Sequence, residues 1–356
     1  MLRMNSLRLI FFVLFFNSAI LCCDASTSRV LIVENLASPG SIKIAHYYFL
    51  KRRLPAANLC TITCPATEQC STADVVRMII EPIRQCIHQR KLKIDYIVLT
   101  KGIPIEFNDS SWSGFSIDSV LTTMDNPLPS HALNPYFAAT DRFSQHEYGI
   151  YLVTRLDGWS VDDCLRLVDH GLATHPGPGP IYLHPAPNRD VDGYYETNQT
   201  IRIAAADLAQ SDVNIFFDQS DTFHSIPEPL DGYYTWASND AHFDNKMYQS
   251  LVFSPGAIAE TVVSTSGRTF EDHPTGGQSL IADLVADGVT GCKGYVSEPL
   301  VDSMAHADIL FDHYTQGWNL ADSFYAASRY VNWKDIVIGD PLCAPYASHP
   351  KRSAAD

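Results

Sequence analysis

Short apolar runs alternate with amphipathic stretches along most of the chain, a rhythm that predicts β-strands each followed by a helix. Val30–Val33 reads as a strand ending at Glu34-Asn35. Ser41 is placed to cap a helix whose Ile42, Ala45, Phe49 and Leu50 share one face before Pro55 stops it. Leu59–Ile62 and Tyr96–Leu99 read as further strands, separated by a helix from about Thr72 to Gln89. Between Pro104 and Tyr148 the periodicity lapses and Ser, Asp, Asn and Pro dominate, a connection long enough to predict a lid or rim. The alternation resumes with strand Gly149–Thr154, helix Val161–Leu172, strand Ile181–Leu183, helix Thr200–Ala209 and strand Val213–Phe217. Tyr233–Trp236, Ala257–Val263, Val289–Val296 and Ile336–Ile338 supply the later strands. Helices are expected around Leu280–Val285, His306–Gln316 and Leu320–Ser328.

Strands alternating with helices predict an α/β fold of mostly parallel sheets with helices on both faces. The expected organisation is two adjoining subdomains, residues 26–148 with the long loop 104–148, and residues 149–346, followed by a polar tail, 347–356. Residues 1–25 read as a signal peptide: Arg3 and Arg8 precede an apolar run from Leu9 to Leu21, and small residues follow up to Ala25. That run is shorter than the ~20 apolar residues of a membrane-spanning helix, and no second candidate occurs downstream. The expectation is therefore an exported protein, periplasmic or extracellular, without a transmembrane segment. Cys22 and Cys23 raise the alternative of a lipoprotein, against which bulky Leu21 stands where processing prefers a small residue.

Composition narrows the partners. With 46% hydrophobic residues the chain can bury a sizeable core, and a formal charge of −15 at pH 7 repels phosphate backbones. No basic stripe interleaved with aromatics is found, so nucleic acid is not an expected partner. Past the leader seven cysteines remain, and Cys60, Cys64, Cys70 and Cys86 crowd one segment. In an oxidising compartment this cluster predicts up to two disulfides stapling the second strand to the following helix, with connectivity left open. Zinc is the rival reading, but Cys60-x3-Cys64 lacks paired C-x-x-C spacing. Asn108-Asp-Ser110 and Asn198-Gln-Thr200 are N-glycosylation acceptors only in a eukaryotic source.

Several motifs resemble those of an uncharacterised family of exported bacterial proteins: Ser38-Pro39-x-Ser41, Lys101-Gly102-Ile103-Pro104, Arg155-Leu156-Asp157-Gly158, Pro255-Gly256-Ala257-Ile258-Ala259, Ser297-Glu298-Pro299 and Gly339-Asp340-Pro341-Leu342. More distantly, the element order from Tyr151 onward is similar to gingipain-type cysteine peptidases. That resemblance implies a caspase-like fold with a catalytic His after one strand and a Cys after the next. Here those positions hold Trp236-Ala237-Ser238 and Ser264-Thr265-Ser266, so the resemblance implies a fold without its usual dyad.

In an open parallel sheet, ligands bind beyond the carboxyl ends of the strands. Ser238, Asn239, Asp240, Ser264, Ser266, Arg268 and Glu298 are all expected there. Ser264 or Ser266 is the candidate nucleophile, Asp240 or Glu298 the acid/base, and Ser238, Asn239 and Arg268 the ligand-binding groups. The bland alternative is that these side chains cap helices and brace loops. Asp240, His242 and Asp244 stand at alternate positions, a pattern that would let a divalent metal bind if the backbone were extended; otherwise no cofactor is expected. Asp157 is placed either to pair with Arg155 or to cap the next helix. The function read from the sequence is a hydrolase derived from a caspase-like fold. The alternative is a non-enzymatic protein that binds a small molecule, peptide or glycan in the same cleft.

Overall fold

The computed structural model describes residues 26–348 except 110–111, 192, 225, 227, 272–273 and 275. The expected leader, Ser110 as the third residue of the first glycosylation motif, and residues 349–356 of the polar tail lie outside the described residues.

Ten strands form one sheet: β1 (Val30–Asn35), β2 (Leu59–Ile62), β3 (Tyr96–Thr100), β4 (Leu152–Leu156), β5 (Ile181–Leu183), β6 (Ile215–Phe217), β7 (Leu230–Thr235), β8 (Phe253–Thr261), β9 (Gly291–Tyr295) and β10 (Asp335–Gly339). Their spatial order is β6-β5-β7-β8-β9-β10-β4-β3-β1-β2. Every neighbouring pair is parallel except β9–β10. The last strand thus lies between the two halves, antiparallel to β9 and parallel to β4.

Period-two alternation places helices on both faces. Val30 and Ile32 of β1 and Val98 of β3 join one apolar cluster with Ile44, Ala45 and Tyr48 of α1 (Pro39–Arg52). Leu31, Val33, Ile97 and Leu99 point the other way, onto Ile83, Cys86 and Ile87 of α2 (Glu81–Gln89). Further helices are α3 (Val161–Gly171), α4 (Tyr194–Leu208), α5 (Ile281–Ala286), α6 (Ala307–Thr315) and α7 (Leu320–Ala327). Strands buried on both sides need continuous apolar runs, which is why these were legible as short hydrophobic blocks.

Two local expectations are corrected. Ser38, not Ser41, caps α1: its Oγ accepts from the Ser41 N–H at 3.3 Å with Pro39 at the first helical position. The Ser41 hydroxyl instead accepts from the Asn35 N–H at 2.7 Å and bonds Thr100 at 2.6 Å, tying β1 to β3. The stretch 104–148 is packed rather than an open lid, with Ile105, Phe107, Phe115, Ile117, Leu121, Met124, Tyr136 and Phe143 all buried. Its backbone is satisfied at long range, for example by Ser116 N–H to Trp333 O and Ala138 N–H to Ala326 O, both 2.8 Å. Among the described residues no helix is long and apolar enough to cross a membrane.

Candidate functional site

The sheet has two points where the chain leaves adjacent strand ends in opposite directions. β1 is flanked by β2 and β3, and β5 by β6 and β7, so a crevice opens beyond the carboxyl ends at each. The larger cleft lies next to the second.

β7 runs through Gly232-Tyr233-Tyr234-Thr235 into Trp236 and the turn Ala237–Asn239. The adjacent β8 ends at Thr261 and leads through Val262 and Val263 to Ser264. The two loops are laced together: Asn239 Nδ2 donates to Val262 O at 2.7 Å, and the Ser279 N–H donates to Ser238 Oγ at 2.9 Å. Gln278 sits at the centre. Its Nε2 donates to Asn239 Oδ1 at 3.3 Å and to Ser264 Oγ at 3.1 Å, while its Oε1 accepts from the Thr265 hydroxyl at 2.7 Å and N–H at 3.0 Å. A cleft of about 320 Å³ opens above them, lined by Asn239, Ser264, Gln278, Trp236, Arg189, Tyr194, Glu298 and Leu300. Tyr194 meets the Trp236 ring edge-on at 5.2 Å, and the Trp236 Nε1–H donates to Asn198 Oδ1 at 2.7 Å. Asn198 is wholly buried by this role, so the second glycosylation motif is sterically closed in the folded chain.

Of the residues expected at this edge, Asn239, Ser264 and Glu298 line the cleft together. Ser238 is bound to Ser279, and Arg268 donates to Thr265 O and Gln278 O, so both brace the loops. Burial lowers the Arg268 pKa. Ser266 is fully buried, its hydroxyl without a hydrogen-bond partner, and a Cβ on Gly294 would lie 3.0 Å from its Oγ. It faces the β9 backbone, away from the cleft.

Asp240 belongs to a different constellation, one absent from the sequence reading. His184, directly after β5, is buried with its Nε2 3.1 Å from Asp240 Oδ2 and its Nδ1 3.0 Å from Asp218 O. Burial alone would lower the His184 pKa, but the Asp240 hydrogen bond and the Asp218 contacts raise it. Burial would likewise raise Asp240, yet His184, the His242 N–H at 2.8 Å and Asn188 at 3.0 Å hold it below the usual carboxylate range. Both imidazole nitrogens are occupied, so His184 pins β5 to β7 and has no free nitrogen for proton transfer.

The metal pattern is corrected. Asp240 faces His184, His242 pairs with Asp221 at 3.6 Å, and Asp244 turns back to accept from the Lys246 and Met247 N–H groups. Helical capping breaks the extended backbone that alternate ligands require. Among the described residues no group of three or more His, Cys, Asp or Glu side chains is arranged to hold a metal ion.

At the first switch point a smaller crevice of about 170 Å³ is lined by Ser38, Gly102, Lys101, Asp157, Glu68 and Glu271, among others. Lys101 Nζ is fully engaged, with Phe270 O at 2.7 Å, Gly158 O at 2.9 Å and Asp157 Oδ1 at 3.3 Å. It is a strut between the halves. Asp157 also faces Arg155 at 3.3 Å, and Ser160 rather than Asp157 caps α3 in a reciprocal capping box with Asp163. Wholly buried Arg155 is held by Asp118 at 2.6 Å and by Ile103 O and Pro104 O.

No protein-family model and no curated protein matches the chain. Solved structures similar to it include two that match over most of the chain. One, described as "Structure of Protease", is 12% identical over 91% of this chain and 80% of that chain, with a TM-score of 0.49. The other is a complex of the pro- and mature domains of RgpB from Porphyromonas gingivalis, 12% identical over 89% of this chain and 79% of that chain, with a TM-score of 0.49.

Proposed function

We propose that this is an exported binding protein whose cleft above Gln278 takes a neutral ligand rich in hydroxyl and amide groups, a glycan or peptide fragment, without a metal cofactor. The observation that carries the reading is the hydrogen bonding of Ser264. A serine nucleophile needs a base to take its proton, and the Ser264 hydroxyl exchanges hydrogen bonds with the Gln278 amide, which is not one. What the cleft does offer is the exposed ring of Tyr194, with buried Trp236 packed behind it, beside amide and hydroxyl groups from Asn239, Gln278 and Ser264. Aromatic faces next to a few fixed polar groups suit an amphipathic, uncharged ligand. Export is supported by the leader-like residues Arg3 to Ala25 and by the resemblance of the motifs quoted above to those of exported bacterial proteins.

The test is calorimetric titration of the mature protein with glycan and peptide fragments, alongside a fluorophosphonate serine probe read by mass spectrometry. Saturable binding, unchanged by EDTA and weakened at least about tenfold by Tyr194→Ala or Gln278→Ala, is expected. Covalent labelling of Ser264 would overturn the reading and restore the hydrolase.

A further inference from the structure

Four thiols in the N-terminal half lie away from the cleft, and the fold divides them into two pairs. Cys60 of β2 and Cys86 of α2 are both buried in the same apolar cluster. Arg90, one turn beyond Cys86, donates to Ala57 O at 2.9 Å and Leu59 O at 2.7 Å, which fastens the end of α2 to the start of β2. The second pair straddles the loop that leaves β2. Cys64 is buried, its N–H donating to Asn35 Oδ1 at 3.1 Å and its carbonyl accepting from Asn35 Nδ2 at 3.0 Å. Half-buried Cys70, in the short strand Gln69–Ser71, packs into the same apolar cluster as Cys64, from which five residues separate it. In the structure all four are free thiols.

Four cysteines allow three pairings. We propose that the mature protein is oxidised as Cys60–Cys86 and Cys64–Cys70, one bond fastening β2 to α2 and the other closing the loop between β2 and the strand Gln69–Ser71. The first bond forms by exchange with a disulfide donor such as oxidised glutathione or the dithiol oxidant of an export compartment. Cys86 is the entering group: it is the more exposed of the two thiols, and its interaction with Cys60 and the Arg90 charge hold its pKa below the usual thiol range against burial. Its thiolate attacks a donor sulfur, forming a mixed disulfide and releasing one donor thiolate. Cys60 then loses its proton to solvent and attacks Cys86 Sγ, expelling the second donor thiolate. Two electrons pass to the donor for each bond, and the second pair closes in the same way. Cys164 in α3, Cys292 in β9 and Cys343 just after β10 are fully buried, and burial pushes all three thiols up, so they stay reduced.

The test uses the full chain, incubated with oxidised glutathione, alkylated under denaturing conditions without reductant, and mapped by mass spectrometry. Before alkylation the intact chain is expected to be lighter than the reduced chain by four hydrogens, about 4 Da. Trypsin should yield peptide 54–77 joined to peptide 85–90, and cleavage after Glu68 should leave the Cys64 and Cys70 fragments linked. Cys60→Ser should abolish the junction to peptide 85–90, whereas Cys64→Ser should keep it and leave Cys70 alkylated. If Cys60→Ser does not accumulate, fragmentation of the cross-linked wild-type peptides gives the same assignment. Cys86 joined to Cys64 or Cys70, alkylation of all four thiols, or stoichiometric zinc held by them would overturn the proposal.

Discussion

Glu260 places a carboxyl wholly inside the sheet, where the Tyr295 hydroxyl donates to Oε1 at 3.1 Å and, among the described residues, Oε2 has no hydrogen-bond partner. Burial pushes its pKa up to about 8, against the opposing pull of Lys293 and Tyr295. A carboxyl raised in this way keeps its proton when folded, so its contribution to stability is complete below about pH 4.5 and declines as pH rises towards 8. Glu260→Gln is expected to flatten that decline, measured as urea midpoints across the range; an unchanged pH profile would refute it. The His184–Asp240 pair behaves differently. Its aspartate, held low, contributes above about pH 3.8 and its histidine, held high, contributes fully below about 6.5, so the pair is strongest between them. Asp240→Ala is expected to cost about 3–5 kcal/mol at pH 5 by chemical denaturation, because the buried imidazole loses the carboxylate at its Nε2. Asp240 was legible as a residue of the strand-end edge, but its partner was not. His184 is 56 positions away, and only the pairing of β5 with β7 brings the two together. Gln278 was missed for the same reason, since nothing around it in sequence marks an amide that spans two loops.

Elements were the most legible level, because a strand buried on both faces and a one-sided helix each leave a period in the sequence. Ile181–Leu183 is a strand as expected, and α3 runs from Val161 within one residue of its expected end. Departures have local causes. The expected helix from Thr72 to Gln89 contains a π-helical stretch, Val75–Ile80, before α2 begins at Glu81. α4 begins at Tyr194, six residues before its expected start, in a polar turn whose Thr197 and Asn198 are buried by neighbours remote in sequence. The motifs quoted in the family resemblance also act at this scale. Ser38 caps α1, Ser297 Oγ donates to Gly114 O at 2.6 Å, and Asp340 accepts from Tyr48 at 2.9 Å and Arg52 at 2.6 Å. Gly102 has φ of 89°, and a Cβ there would lie 2.2 Å from Ser38 Oγ. Gly102→Ala is therefore expected to unseat the α1 cap and lower stability by about 1–3 kcal/mol. Ser160→Ala, which removes the α3 capping box, should cost about 1 kcal/mol; a melting temperature unmoved by either change would count against these roles.

The whole molecule is organised by β10. It closes the gap between β9 and β4, so the chain's two halves share one ten-stranded sheet. Thermal unfolding is expected as one transition, with far-ultraviolet and near-ultraviolet circular dichroism coinciding; two separate transitions would mean that residues 26–148 and 149–346 fold independently. A chain ending at Lys334 should lose cooperative unfolding and aggregate, since the facing edges of β9 and β4 would be left unpaired. Sequence alone determined the class of fold, the order along the chain of the strands of the main sheet and the edge where the candidate cleft opens, because each depends on local periodicity and on the shared direction of parallel strands. Strand order, the insertion of β10, the pairing of His184 with Asp240 and the seat of Ser264 on an amide were decided by tertiary structure. Those features join residues tens to hundreds of positions apart, and which of many chemically equivalent partners meet is set by how the sheet closes.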